Sequence, residues 1–190
     1  MAVRRILRMG HPNLRRVAQP LDLTKLQTDW FRDLLRDMRD TLADYGGIGL
    51  AAPQIDEPYR IAIIEIGARP SRYGAINDLP FTLFINPEIE MLTATTAGYW
   101  EGCLSVPGLR GYVERPTHLR VRYTDLAGQP CALELTGFQA TVIQHEFDHL
   151  DGKLYIDRID NPELLMFEDE LARHDEHWQK HPTVVQGAPT

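Results

Sequence analysis

Cysteine is scarce in this chain. With only Cys103 and Cys131 among 190 residues, at most one disulfide can form, which excludes a disulfide-held scaffold. No apolar run approaches the ~20 residues of a membrane-spanning helix, so an integral membrane protein of that kind is excluded too. Positive charge is in deficit: 20 Lys and Arg face 27 Asp and Glu, for a net charge of −7. That balance argues against a protein whose whole surface is a nucleic-acid footprint. Met1–Gly10 lacks both a sustained apolar stretch and a small-residue cleavage site, so no secretory signal is visible and a cytoplasmic address is expected. Internal repeats, low-complexity blocks and dividing linkers are also missing. The remainder, 43% hydrophobic and 25% charged, is an ordinary globular composition of a length that buries one sizeable core.

Charge is unevenly spread. Arg4, Arg5, Arg8, Arg15 and Arg16 crowd the first sixteen residues without an acid, which superficially suits a transit peptide but equally suits a basic arm of the folded domain. From Asp160 to His181 the bias reverses, with seven acids against Arg173 and Lys180.

Residues 28–45 place Phe31, Leu34, Leu35, Met38 and Leu42 on one face and Asp33, Arg36, Asp37 and Asp40 elsewhere, an amphipathic helix capped by Thr28 and ended by Gly46-Gly47. Gly47–Gln54 is too small-residue-rich and bent for a core helix. Tyr59–Ile66, Phe81–Asn86 and Glu88–Thr96 read as strands, with a loop over Gly67–Pro80. Leu119–Thr124 and Cys131–Leu135 flank a hairpin turn. Phe138–Leu150 is helical, with Ala140, Ile143, Phe147 and Leu150 in one stripe. A last helix is expected over Pro162–Gln179, with Leu164, Leu165, Phe167 and Leu171 inward. Antiparallel strands with segregated helices make the fold class α+β. One domain is expected over residues 1–181, and a disordered tail over 182–190.

The strongest chemical signal is His145-Glu146-Phe147-Asp148-His149. Four-residue spacing on a helix stacks both imidazoles on one face, where they can share a metal ion. Glu146, one residue round, is placed to move the proton of a water on that ion. A catalytic site needs a third protein ligand. The metzincin frame fails, because Tyr155 stands where its third His belongs. A downstream carboxylate, Glu168 or Glu170, would make a zincin-type endopeptidase, although both lie in a strongly acidic segment. Cys103, in Glu101-Gly102-Cys103-Leu104-Ser105, is the other candidate, since a thiolate suits a divalent cation. His174, His177 and His181 share a helical face, where a solvated polar surface accounts for them better than a second metal site.

Three segments, GIGLAAPQ (Gly47–Gln54), EGCLS (Glu101–Ser105) and QHEFDH (Gln144–His149), are similar to the three signature motifs of peptide deformylases, in the same order. HPNLRRVAQP, RPTHLRVRYTDLAGQ and LDGKLYIDR extend the resemblance over roughly residues 5–160, which leaves no room for a transit peptide before His11. The resemblance implies antiparallel sheets around a central HExxH helix, with a C-terminal helix. It implies metal-dependent hydrolysis of the N-formyl group from formylmethionine at the start of newly made chains, releasing formate. The implied metal ligands are Cys103, His145 and His149, holding one divalent ion. Fe(II) is the family's typical metal, with zinc, nickel or cobalt able to occupy the site. Glu146 is then the proton carrier, and Gln54 with the Leu104 N–H the oxyanion donors.

Ile48, Phe138 and Val142 are candidates for an apolar methionine pocket, with core packing the competing account of the last two. Gly49 and Gly102 offer backbone for strand-like pairing with a peptide. Arg110 falls near the pocket mouth by family position, and Tyr99 and Trp100 can shape its rim. Formyl-methionyl nascent peptides are the expected partners. Transient proximity to ribosomes follows from that, but neither DNA nor a membrane is expected as a partner. The acidic end argues against tight docking on ribosomal RNA. A non-catalytic binder of formylated N-termini is the remaining rival.

Overall fold

The computed structural model describes residues 2–67, 69–71, 74–76, 78–178 and 184–185. The first helix, α1 (Asp29–Tyr45), starts where expected: the Thr28 side chain accepts from the Phe31 N–H at 3.3 Å, and Gly46 ends the helix in the left-handed region at φ 68°. Phe31, Leu34, Met38 and Leu42 are buried and Leu35 packs partly against them. Asp37, expected on the wet side, is buried instead because Arg4 reaches it at 3.3 Å.

After α1 come strands β1 (Gly49–Ala51), β2 (Ile61–Ile66), β3 (Arg69–Ser71), β4 (Gly74–Ile76), β5 (Leu79–Met91), β6 (Thr96–Cys103), β7 (Val106–Pro116), β8 (His118–Thr124) and β9 (Pro130–Thr136). Helix α2 (Gly137–Leu150), strand β10 (Leu165–Phe167), short helices α3 (Glu168–Arg173) and α4 (Asp175–Trp178), and strand β11 (Val184–Val185) complete the order. One sheet runs β1-β2-β5-β8-β9, a second β10-β7-β6-β11, and every ladder is antiparallel. The α+β expectation holds.

The first sheet is covered on both faces around β2, which explains why β2 is apolar almost throughout. Alternation along it sends Ala62, Ile64 and Ile66 toward α2 in one core, and Ile61 and Ile63 toward α1 in the other. Helix α2 therefore lies buried from Ala140 to Leu150. Its polar residues cannot look to water and must find partners in the protein.

Three local expectations change. Phe81–Asn86 and the first four residues of the expected strand Glu88–Thr96 belong to one strand, β5, whose register shifts between Ile85 and Glu88, and Thr96 opens β6. Asn86 absorbs the irregularity at φ 50°, and its side chain exchanges hydrogen bonds with the Leu21 backbone at 2.7 and 2.9 Å. The expected loop over Gly67–Pro80 contains the paired strands β3 and β4.

The expected C-terminal helix is broken up, because Leu165–Phe167 pair with Leu109–Gly111 of β7. Strand alternation turns Leu165 and Phe167 outward, leaving Leu171 as the buried anchor. In residues 182–190, only Val184–Val185 lie within the described residues, and they pair with Thr96–Ala97 of β6. His181 lies outside the described residues.

Candidate active site

Strands β6 and β7 form a hairpin whose tip carries the EGCLS motif. Cys103 is the last residue of β6, opposite Val106, and Leu104 and Ser105 make the turn. This tip brings the Cys103 sulfur 3.3 Å from the His149 Nε2. The ligand atoms of Cys103, His145 and His149 all lie within 4.8 Å of one another, a group that could hold a metal ion. The two imidazoles stand one helical turn apart, their ring centroids 5.3 Å apart.

Glu101, two residues before Cys103, accepts at 2.7 Å from the His145 Nδ1, which orients that ring and leaves its Nε2 for the cluster. Arg115 of β7 clamps Glu101 at 2.6 and 3.1 Å and reaches Asp148 of α2 at 2.8 Å. Arg158 closes the network on Asp148 at 2.5 Å. Burial opposes the ionised form of Glu101, but Arg115 and His145 overcome it and hold its carboxyl below the usual range.

Burial alone would raise the Cys103 thiol, yet the His149 and His145 imidazoles hold it well below a free thiol's range. His145 moves the other way, raised against its burial by Cys103 and Glu101. The thiol and the two imidazole nitrogens, with Glu101 behind the His145 ring, make a donor set that suits a divalent cation among Cys103, His145 and His149.

Glu146 is 5% exposed, and its Oε2 is buried without a hydrogen-bond partner. Burial pushes its carboxyl up to about 7, against the opposing pull of His145 and His149. Gly49 is required beside it, because a Cβ there would overlap the Glu146 carboxyl.

Gln54 closes the cluster from the 3₁₀ turn Ala52–Ile55. Its Oε1 accepts from the Ala51 N–H at 2.8 Å, which commits the Nε2 to donate to the Ser105 Oγ at 3.2 Å and toward the Cys103 sulfur at 3.6 Å. A cleft of about 610 Å³ opens over these groups. Ile48, Gly49, Gly102, Leu104, Phe138 and Val142 all line it, with Val142 buried and Ile48 and Phe138 half-buried. Phe138 packs on Tyr99 at 5.6 Å, and Trp100 lines the rim.

Arg110 lies over Gly102, where a Cβ would meet its guanidinium, and pairs with Glu168 at the mouth. Glu168 is thereby engaged away from the imidazoles, and Glu170 pairs with Arg173. Neither belongs to the cluster with the imidazoles, so the downstream-acid alternative finds no support. Tyr155, the residue that breaks the metzincin frame, stacks on the His145 ring at 6.0 Å. His174 reaches Glu170 and joins no metal-ligating group among the described residues. Cys131 is a free, half-exposed thiol on β9.

Sequence reasoning gave Arg115 and Tyr155 no place in the site, and Glu101, Ser105 and Asp148 only as letters within motifs. The available signal was the density of charge beside the two histidines, in Glu101 and Asp148.

A thiol and two imidazoles around a buried acid are the donor set of a metal-dependent hydrolase. The family model for polypeptide deformylase matches residues 3–164. The chain is 40% identical over 171 residues to the peptide deformylase of Leptospira biflexa, covering 90% of this chain and 96% of that one. It is 47% identical over 154 residues to peptide deformylase 2 of Bordetella bronchiseptica, covering 81% and 86%. Among solved structures, a Met-Ala-Ser-bound class I type b peptide deformylase from Acinetobacter baumannii superposes with a TM-score of 0.76 at 34% identity, over 83% of this chain and 99% of that one. The chain belongs to the peptide deformylase family, hydrolases that remove the N-formyl group from an N-terminal methionine.

Proposed function

We propose that Cys103, His145 and His149 hold one divalent metal ion, and that Glu146, Gln54 and the Leu104 N–H carry out deformylation beside it. The observation that carries this reading is the unpartnered, buried Glu146 oxygen next to the thiol–imidazole cluster. A bound divalent ion supplies Lewis-acid chemistry, lowering the pKa of water and polarising a carbonyl.

The chain's own groups do the rest. Glu146 takes a proton from the attacking water and returns it to the departing amine, a dual duty that suits a carboxyl pushed up to about 7. Gln54, its amide oxygen already fixed by the Ala51 N–H, keeps one Nε2 hydrogen on Ser105 and turns the one aimed weakly at the Cys103 sulfur, with the Leu104 N–H, to the oxyanion that develops on the formyl oxygen. The C–N bond breaks, leaving formate and a free N-terminal methionine.

The methionine side chain enters the apolar wall of Ile48, Phe138 and Val142. The peptide extends along the free edge of β1 at Gly49, with Gly102 opposite and Arg110 at the mouth. The Acinetobacter relative, described with Met-Ala-Ser bound, carries a peptide of the product class. Family resemblance favours Fe(II), with zinc, nickel or cobalt as substitutes. A thiolate beside an oxidisable metal, together with two free cysteines, fits a reducing cytoplasm in which nascent chains are processed near ribosomes. No helix among the described residues is long and apolar enough to cross a membrane.

Anaerobic purification, metal analysis and formate release from formyl-Met peptides test the reading together. One metal per chain and stoichiometric formate are expected. A chain that stays inert when loaded with ferrous, nickel or cobalt ions would instead be a binder of formylated N-termini. Full metal retention in Cys103→Ser would sink the ligand assignment.

A further inference from the structure

Deformylation leaves the arginine-rich arm unexplained. The arm is strapped across the rim of the cleft: the Leu7 N–H donates to the Gln54 carbonyl at 2.7 Å, and the Met9 N–H to the Ser105 carbonyl at 2.7 Å. Ile6 and Leu7 are buried beneath it. Its arginines divide by role. Arg4 is spent on Asp37 and Glu57, and Arg15 on Asp157. Arg5 and Arg8 line the cleft, are exposed, and have no ion-pair partner among the described residues.

The acids that line the same cleft are already committed or buried. Glu101 is held by Arg115, Glu168 pairs with Arg110, and Glu146 lies within the site. The cleft rim of a chain with net charge −7 therefore carries two uncompensated positive charges. A substrate whose methionine is seated inside must bring its following residues out past this rim.

We infer that Arg5 and Arg8 form a cationic rim that selects formyl-methionyl chains bearing acidic side chains shortly after the methionine. The inference rests on the cleft being the peptide path. Both arginines read charge at a solvated edge and touch no reacting atom, so they bear on capture of the substrate rather than on its chemistry.

The test uses three C-terminally amidated peptides, formyl-Met-Ala-Glu-Glu, formyl-Met-Ala-Ser-Ser and formyl-Met-Ala-Lys-Lys, with the metal-loaded enzyme. At low salt kcat/KM should fall in that order, by about tenfold from first to last, with the difference in KM rather than kcat. High salt should collapse the order. The double variant Arg5→Gln/Arg8→Gln should process the Ser peptide as before and lose the discrimination, and Arg5→Glu/Arg8→Glu should reverse it. Equal turnover of all three peptides by the unaltered enzyme, or an order that survives in the Gln variant, overturns the rim while leaving deformylation intact. Absence of formate from every peptide would overturn the deformylase reading and the rim with it.

Discussion

Glu146 has one carboxyl oxygen with no hydrogen-bond partner and a neighbour, Gly49, that cannot carry a side chain without touching it. Two predictions follow at the scale of single residues. Glu146→Gln keeps the shape but cannot accept a proton, so kcat should fall by roughly 10²–10⁴-fold while metal content stays at that of the parent. Gly49→Ala puts a methyl where the carboxyl lies, and misplacement of a reacting group by ~1 Å costs on the order of 10²-fold in rate. Its metal content and melting temperature should stay near the parent's, so steady-state kinetics beside metal analysis separates displacement from unfolding. Glu146 and Gly49 were both legible in sequence, as motif letters. The reason Gly49 must be glycine was not, because Glu146 lies almost a hundred positions away and only folding sets the two side by side.

Arg115 belongs to none of the three signature motifs, yet it joins β6, β7 and α2 through Glu101 and Asp148. Arg115→Met would leave the buried Glu101 with His145 alone and Asp148 with Arg158 alone, and should cost about 3–5 kcal/mol in denaturant unfolding. Acid acts on the same joint. Burial opposes the Asp148 charge, but Arg158 and Arg115 prevail and hold its carboxyl below its usual range. Its stabilising contribution is therefore complete above roughly pH 4 and is lost as pH falls through the lowered range. Thermal melts from pH 7 to about pH 2 should show a steep acid limb below about pH 4 in the parent. Asp148→Asn should melt lower at pH 7 and lose less on acidification; an unchanged slope would argue against the joint.

The elements differ in how far local pattern could foretell them. Helix α1 kept its expected cap, stop and face because a 3.6-residue period and a Thr28 hydroxyl are local facts. The C-terminal segment did not keep its expected helix. Its apolar spacing suited one, but β7 offered a free edge, and Leu165–Phe167 took it.

At the scale of the molecule, the apolar cores on the two faces of the first sheet contain none of the three proposed metal ligands. The fold should thus survive removal of the ion. Chelation is expected to abolish formate release and lower the melting temperature, with far-UV circular dichroism retained and activity restored by ferrous or nickel ions. Loss of secondary structure on chelation would contradict this.

The sequence by itself determined the fold class, the helix that carries the two histidines, the deformylase motifs and the excess of arginine at the start, since residue type and short-range spacing encode them. Only the tertiary structure decided that β5 is one bent strand, that Arg115 ties the hairpin to the helix, and that Arg5 and Arg8 find no ion-pair partner among the described residues while Arg4 and Arg15 do. Those outcomes depend on partners 14 to 142 positions apart along the chain, a distance over which no periodicity carries information.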